Sequence, residues 1–295
     1  NTTGAENTAV GYNSLDANTT GDSNTAVGTN ALGANTTADN NSAFGKNALT
    51  SNTTGASNTG LGRSSLSTNT TGANNTAVGN NSMLQNTTGG SNTAVGKVSL
   101  DANTTGYNTA AVGDSALGAQ TTGHSNTAIG YNSAPAVTTG HSNTVAGACG
   151  SPNLTTGAGN VTVGDIGSVS TRIFNVTTEN DRVIIGHNNI TNAYVKVAWT
   201  VTSDLRDKTN FGEVPHGLDF VNKLKPVSFQ FKKSRENETP IGFKKYGFKA
   251  QDILALEGSD NVIIDDEKPE LLKMTDSHLI PVLVNAIKEL KAEID

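Results

Sequence analysis

Few side chains in this chain are grouped closely enough to do chemistry. The five histidines are scattered, at His124, His141, His187, His216 and His278. The single cysteine, Cys149, excludes an intrachain disulfide. Isolated acids such as Asp16, Asp22, Asp101 and Asp114 do not form the carboxylate pair that glycoside hydrolysis needs. One stretch stands apart. "TSDLRDKTN" places Ser203, Asp204, Arg206 and Lys208 within six residues. A serine hydroxyl is a weak nucleophile until a neighbouring base takes its proton. Lysine can be that base where burial or a nearby cation favours its neutral form, and Arg206 is such a cation. The same residues are compatible with a capped turn, a solvated lysine and a surface Asp204–Arg206 ion pair.

What positions this stretch is written on either side of it. Upstream, a TTG word begins at Asn1, Asn18, Asn35, Asn52, Asn69, Asn86, Asn103, Gln120, Val137 and Leu154, always at the same interval. An NTAVG-type word follows six residues behind each, and a small residue plus Leu recurs at Ser14-Leu15, Ala31-Leu32 and onward. A fixed period over ten copies means that each copy is one unit stacked on the last. Gly, Thr and Asn are poor helix formers, and a three- or four-residue apolar run closed by Gly reads as a strand and a corner. The expectation is a β-solenoid whose identical residues form ladders about 4.8 Å apart. One inward ladder is expected at Val10, Val27, Phe44, Leu61, Val78, Val95, Val112 and Ile129, and another at Leu15, Leu32, Leu49, Leu66, Met83, Leu100 and Leu117. So thin an apolar load, with no disulfide framework and no Cys/His metal cluster, points to oligomerisation, and we expect a homotrimer.

Composition marks the boundary. Residues 1–203 hold 6 Lys+Arg and 9 Asp+Glu, whereas residues 204–295 hold 14 and 17. Neither part is basic enough for nucleic-acid binding to be its main work. No run reaches the 18 or more apolar residues of a membrane span, and no signal peptide is visible. The chain opens inside a repeat, so further residues upstream are expected. Three segments result: a shaft at 1–165, a neck at 166–202, and a closing domain at 203–295. Alternating residues around Ile173, Val176, Val183-Ile184-Ile185, Val195, Val197, Trp199 and Val201 predict strands in the neck. The closing domain reads as a short helix in "HGLDFVNK", a Lys-Pro break, a strand with Val227, Phe229 and Phe231 on one face, and a final helix. In that helix Ile280, Leu283, Ile287, Leu290 and Ile294 step 3, 4, 3, 4, a heptad seam between chains. Pro281 fits only its first turn, and Asp276 or Ser277 is the expected N-cap.

Two resemblances add to this reading. The NTAVG and small-Leu words over about 1–165 are similar to the NSVAIG-type repeats of trimeric autotransporter adhesin heads, which implies a trimer of left-handed parallel β-rolls. Residues 203–295 resemble the intramolecular chaperone and autopeptidase domain first recognised in phage endosialidases and found in many phage tail fibres. Four motifs in order carry this second resemblance: S-D-x-R-x-K at Ser203 to Lys208, L-K-P-V-S-F at 224–229, Y-G-F-x-A-Q-D at 246–252, and L-I-P-V-L-V-x-A-I-K-E-L at 279–290. It implies a domain that trimerises, guides assembly of the fibre upstream, and is then cut off near its start. The implied catalytic serine is Ser203 and its base Lys208; Arg206, the neighbouring cation, is the expected support on the chemical argument above. The implied scissile bond is Ser203–Asp204, with Thr202–Ser203 also open. The fold class expected is mainly β: a trimeric solenoid of ten 17-residue repeats, a β neck, and a small α+β chaperone domain ending in a long helix. The expected function is a phage tail-fibre shaft on the virion that meets a glycan or protein receptor on a host cell. A bacterial surface adhesin with the same assembly domain, or an uncleaved permanent cap, is the alternative. No cofactor, metal, nucleic acid or membrane insertion is expected. A regular Thr ladder would suit an ice-binding face, but Asn and Gly interrupt the array and a self-cleaving domain would then have no purpose.

Overall fold

The computed structural model describes residues 1–164, 176–186, 190, 196, 203–232, 237–258, 261–267 and 269–295. Of the residues predicted to form neck strands, Ile173, Val195, Val197, Trp199 and Val201 lie outside these. The chain divides into two compact units, Asn1–Asn188 and Asn189–Asp295.

The first unit is a parallel β-solenoid. Ten three-residue strands recur with the period of the sequence words, from β1 (Thr8–Val10) to β10 (Val161–Val163). Each pairs in register with the strand one coil on, so Ala9 lies beside Ala26 and Ala43 beside Gly60. An eleventh, β11 (Val183–Ile185), pairs with β10 after a longer connection, Val161 beside Val183. The sequence places this segment in the neck; in the structure it extends the stack. The Gly closing each word sits at φ between +120° and +139° from Gly11 to Gly164, where an L side chain is strained.

The inward ladder differs from the one expected. The middle residue of each strand faces the interior: Ala26, Ala43, Ala77, Ala94, Ala111 and Ala128 are fully buried. Val10, Phe44, Leu61, Val95, Val112 and Ile129 are exposed, and Val27 and Val78 are half-buried. The pleat decides this, because residues i and i+2 share a face, and Val shares its face with Thr. In these coils the small Ala leaves the interior to the second ladder. Leu32, Leu49, Leu66, Met83 and Leu100 are fully buried, as expected.

Polar ladders complete the interior. Asn35 Nδ2 donates to Asn18 Oδ1 at 2.9 Å, Asn69 to Asn52 at 2.8 Å, and Asn103 to Asn86 at 2.8 Å. A second column works through the backbone, with the Asn75 N–H donating to Asn58 Oδ1 at 3.0 Å. The NTT words look like glycosylation acceptors, yet from Asn18 to Asn103 their asparagines are at most 2 % exposed. Where two successive copies meet both columns change: Thr109 and Gln120 stand where earlier copies carry Asn, and Gln120 Nε2 donates to Thr109 Oγ1 at 3.3 Å.

The second unit has a conventional small core. A six-residue helix, α1 (Leu218–Lys223), precedes an antiparallel hairpin of β12 (Val227–Lys232) and β13 (Pro240–Gly247). Next come α2 (Ala250–Glu257), the short pair β14 (Ile264–Asp265) and β15 (Lys273–Met274), and the closing helix α3 (Leu279–Ile294). Phe220, Ile253, Ile263, Ile264, Leu279 and Val282 form the core. Pro281 is in the first turn of α3 as expected. The expected cap is not: Asp276–His278 forms a separate 3-10 turn, and α3 begins behind His278 without a side-chain cap. His278 Nδ1 donates instead to the Val262 carbonyl at 2.8 Å.

Candidate functional site

The serine and lysine singled out in the sequence meet. Lys208 Nζ donates to Ser203 Oγ at 2.7 Å. Local sequence explains the approach. Asp204 is the N-cap of a 3-10 turn, Leu205–Asp207, its carboxylate accepting from the Arg206 N–H at 2.8 Å. That single turn folds the chain back and brings residue 208 to residue 203.

Arg206 is spent on the same carboxylate. Its Nε and Nη2 donate to the two Asp204 oxygens at 3.0 and 2.6 Å. These bonds hold the Asp204 carboxyl below its ordinary range and push the Arg206 guanidinium up. The pair is the surface ion pair that the sequence left open, and it clamps the turn. Ser203, Arg206 and Lys208 are all exposed within the single chain.

The heptad residues Ile280, Leu283, Ile287, Leu290 and Ile294 are 42–76 % exposed, while Leu279, Val282 and Ala286 face the core. The last helix therefore has two apolar faces, one filled by its own chain and one not.

Histidines and aromatics fall elsewhere. The rings of Tyr107, His124 and His141 stack in a column at 4.7 and 4.8 Å, since they occupy the same place in successive coils. His216 stacks on Phe220 at 4.2 Å; His187 lies outside the described residues. Among the described residues no group of three or more His, Cys, Asp or Glu could hold a metal, and no helix is long and apolar enough to cross a membrane.

Sequence reasoning missed three residues that anchor the domain. Glu257 accepts the Val262, Ile263 and Ile264 N–H groups at 2.8, 2.7 and 3.0 Å. Glu289 accepts the Leu218 N–H at 2.6 Å, and Asn285 Nδ2 donates to the Val214 carbonyl at 3.2 Å. Glu289 and Asn285 have partners 71 residues away, which leave no local pattern, and Glu257 takes backbone groups of the turn that follows its helix. Only their place on the core side of their helices hints at a role.

With this geometry in hand, the chain can be set beside known proteins. The peptidase S74 family model, described as chaperone of endosialidase, matches residues 203–262. No curated protein matches the chain, and no solved structure does. The family match begins at Ser203 and covers the hairpin and α2. It supports a folding and trimerisation chaperone role for this region of a solenoid protein.

Proposed function

We propose that the chain is the shaft of a homotrimeric, host-attaching phage tail fibre whose closing domain drives assembly and then cuts itself away. The observation that carries this is the 2.7 Å bond between Lys208 and Ser203 at the first residue of the family match. Two unfilled apolar surfaces, the Val/Phe/Leu/Ile ladder along the solenoid sheet and the outer stripe of α3, support association of chains.

As it stands the lysine donates to the hydroxyl. Attack needs the reverse, with the hydroxyl donating to a neutral amine, and cover by neighbouring chains favours that form. Ser203 Oγ then bonds to a carbonyl carbon while Lys208 takes the proton. Collapse breaks the C–N bond, the proton passes to the leaving amine, and water hydrolyses the ester. Ring size separates the two candidate bonds. Within one chain the hydroxyl closes a five-membered ring on the Thr202 carbonyl but only a four-membered ring on its own. Cutting Ser203–Asp204 therefore calls for the hydroxyl of a second chain. The reaction is one turnover per chain. The shaft would meet a glycan or protein receptor, with Tyr12, Tyr107 and Tyr131 among its exposed rings.

Intact mass under denaturing conditions tests this, for the full chain and for Ser203→Ala. Fragments of 203 and 92 residues, or of 202 and 93, absent from the variant, are expected, and the pair found names the bond. An uncut chain in both would remove the peptidase and leave residues 203–295 as a permanent cap. Native mass decides the trimer separately.

A further inference from the structure

Tyr107, His124 and His141 hold the same place in three successive coils. One backbone bond joins each neighbouring pair of coils there: the Ser125 N–H donates to the Tyr107 carbonyl at 2.9 Å, and the Ser142 N–H to the His124 carbonyl at 3.0 Å. The column continues upstream, where the Asn108 N–H donates to the Gly90 carbonyl at 3.2 Å. The rings are within 7° of parallel, so His124 has a ring on both faces and Tyr107 on one only. The other face of Tyr107 looks along the column to Gly90, which has no side chain to lay against it.

Glycine is not held at this place by its φ, which lies outside the left-handed region, and every other copy carries a side chain there. A Cβ on Gly90 would have Ala73 backbone atoms as its nearest neighbours, at 3.0, 3.8 and 4.0 Å. The space between it and the Tyr107 ring is therefore open, and Tyr107 is 46 % exposed. The stack thus ends on a vacant rung. The columns on either side hold Thr88 and Thr105, and Ser91 and Asn108. All four are exposed and uncharged, and their side chains make no hydrogen bond among the described residues.

We propose that the Tyr107 face above Gly90 is a docking place for one ring of a neutral glycan, of the kind whose equatorial substituents leave an apolar C–H face. The ring C–H groups lie on the tyrosine, and the ring hydroxyls meet the unpaired Thr, Ser and Asn side chains beside it. A nucleobase fits the same face, but its phosphate finds no cation in the flanking columns. An aromatic side chain of another protein would leave the flanking hydroxyls to water. The receptor class of the shaft is thereby narrowed to a glycan, which rests on the reading of the shaft as a receptor-binding rod. One ring contact is weak, and association of chains multiplies it.

The experiment is saturation-transfer NMR on the full chain, titrated with cellohexaose, chitohexaose and a β-galactan hexasaccharide, with native mass to check assembly in every variant. At least one sugar is expected to bind, with its ring C–H protons taking up the saturation. Tyr107→Ala places here the residue that Ala56 and Ala73 supply in earlier coils, so the fold is kept, and should weaken binding about tenfold. Tyr107→Phe keeps the face and should bind within about twofold of the parent. Gly90→Tyr fills the rung and should weaken binding as much as Tyr107→Ala does. No saturation on any of the three sugars, or equal binding by Tyr107→Ala, would overturn the inference. So would preference for uridine monophosphate over the sugars, or a loss in Tyr131→Ala that Tyr107→Ala does not share. The tail-fibre reading is decided apart from this: a parent chain that is monomeric and uncut but binds sugar through Tyr107 removes the fibre and keeps the docking place.

Discussion

Asn69 in the solenoid and Glu257 in the closing domain are both buried, and each meets several partners. Asn69 donates to Asn52 and to the Gly72 carbonyl at 2.8 and 2.9 Å, and accepts from Asn86 at 2.7 Å. Glu257 collects three consecutive N–H groups. The difference is multiplicity. Asn69 is one rung of a ladder from Asn1 to Gln120, and each rung says only that a like rung lies one coil away. Glu257 occurs once and fixes one turn in one place. Connectivity orders the coils within a chain. Between copies, a shift by one coil loses one unit of matched surface. A repeat thus makes length without an address, and a singular domain makes an address without length. Later coils of the solenoid add marks of their own, through Thr109 with Gln120 and through the stacked rings of Tyr107, His124 and His141.

The sharpest test of this contrast uses glycine. Gly113 has φ +136°, and a Cβ there would overlap the Gly130 carbonyl oxygen in the next coil. Gly113→Ala should cost the solenoid about 3 kcal/mol or more, from backbone strain and overpacking together. In the closing domain a Cβ on Gly212 meets nothing within 4 Å. Gly212→Ala should fall within about 0.5 kcal/mol of the parent. Thermal scans that resolve the two units would show it, and equal shifts would break the contrast.

Next in size are the polar pins. Asn69→Ala removes the two bonds its amide donates and leaves the Asn86 amide with the Gly89 carbonyl alone, and should cost about 2 kcal/mol. Glu257→Ala strands three N–H groups, two of them in the core segment Ile263-Ile264, and should cost about 3 kcal/mol. Their reach should differ more than their size. Hydrogen exchange should rise only in the coils flanking Asn69, but throughout the unit that Glu257 anchors. A loss of protection running the whole solenoid from Asn69→Ala would show that the rungs act as one.

These residues also show what the sequence makes legible. A 17-residue period is visible because every rung is repeated, and the strands, their parallel stacking and the Leu ladder follow from it. The face of each strand was harder to read. Val is the larger residue in NTAV, and hydrophobicity alone sends it inward; the structure instead buries Ala26 and Ala43 beside Leu32 and Leu49 and puts Val on the face it shares with Thr. Ser203 and Lys208 were legible because five residues and one turn join them. Asn285 and Glu289 look like ordinary helix-surface residues in the sequence, since their partners are 71 residues away, and Glu257 does so because the groups it binds are backbone N–H groups, which no side-chain motif marks.

The smallest expected effects turn on pH and carry opposite signs in the two units. Asp101 follows Leu100 on the solenoid, and its Oδ1 is buried with no hydrogen-bond partner among the described residues. Desolvation raises its pKa above the ordinary 3.8. The folded state then binds a proton more tightly than the unfolded chain, so this carboxylate weakens the fold at neutral pH. The penalty shrinks as pH falls through the raised value, and is gone below about 3.8. Asp101→Asn should therefore stabilise the solenoid by about 1 kcal/mol at pH 7 and by less in acid. Asp204 runs the other way. Arg206 lowers its pKa, so its small contribution is present above 3.8 and lost as pH falls through the lowered value. Because that pair is solvent-screened, Arg206→Gln should barely move the melting of its unit at pH 7. If the variant, with melting unchanged, slows cleavage, the Asp204–Arg206 clamp acts on the turn that presents Ser203 to Lys208, not on the stability of the domain.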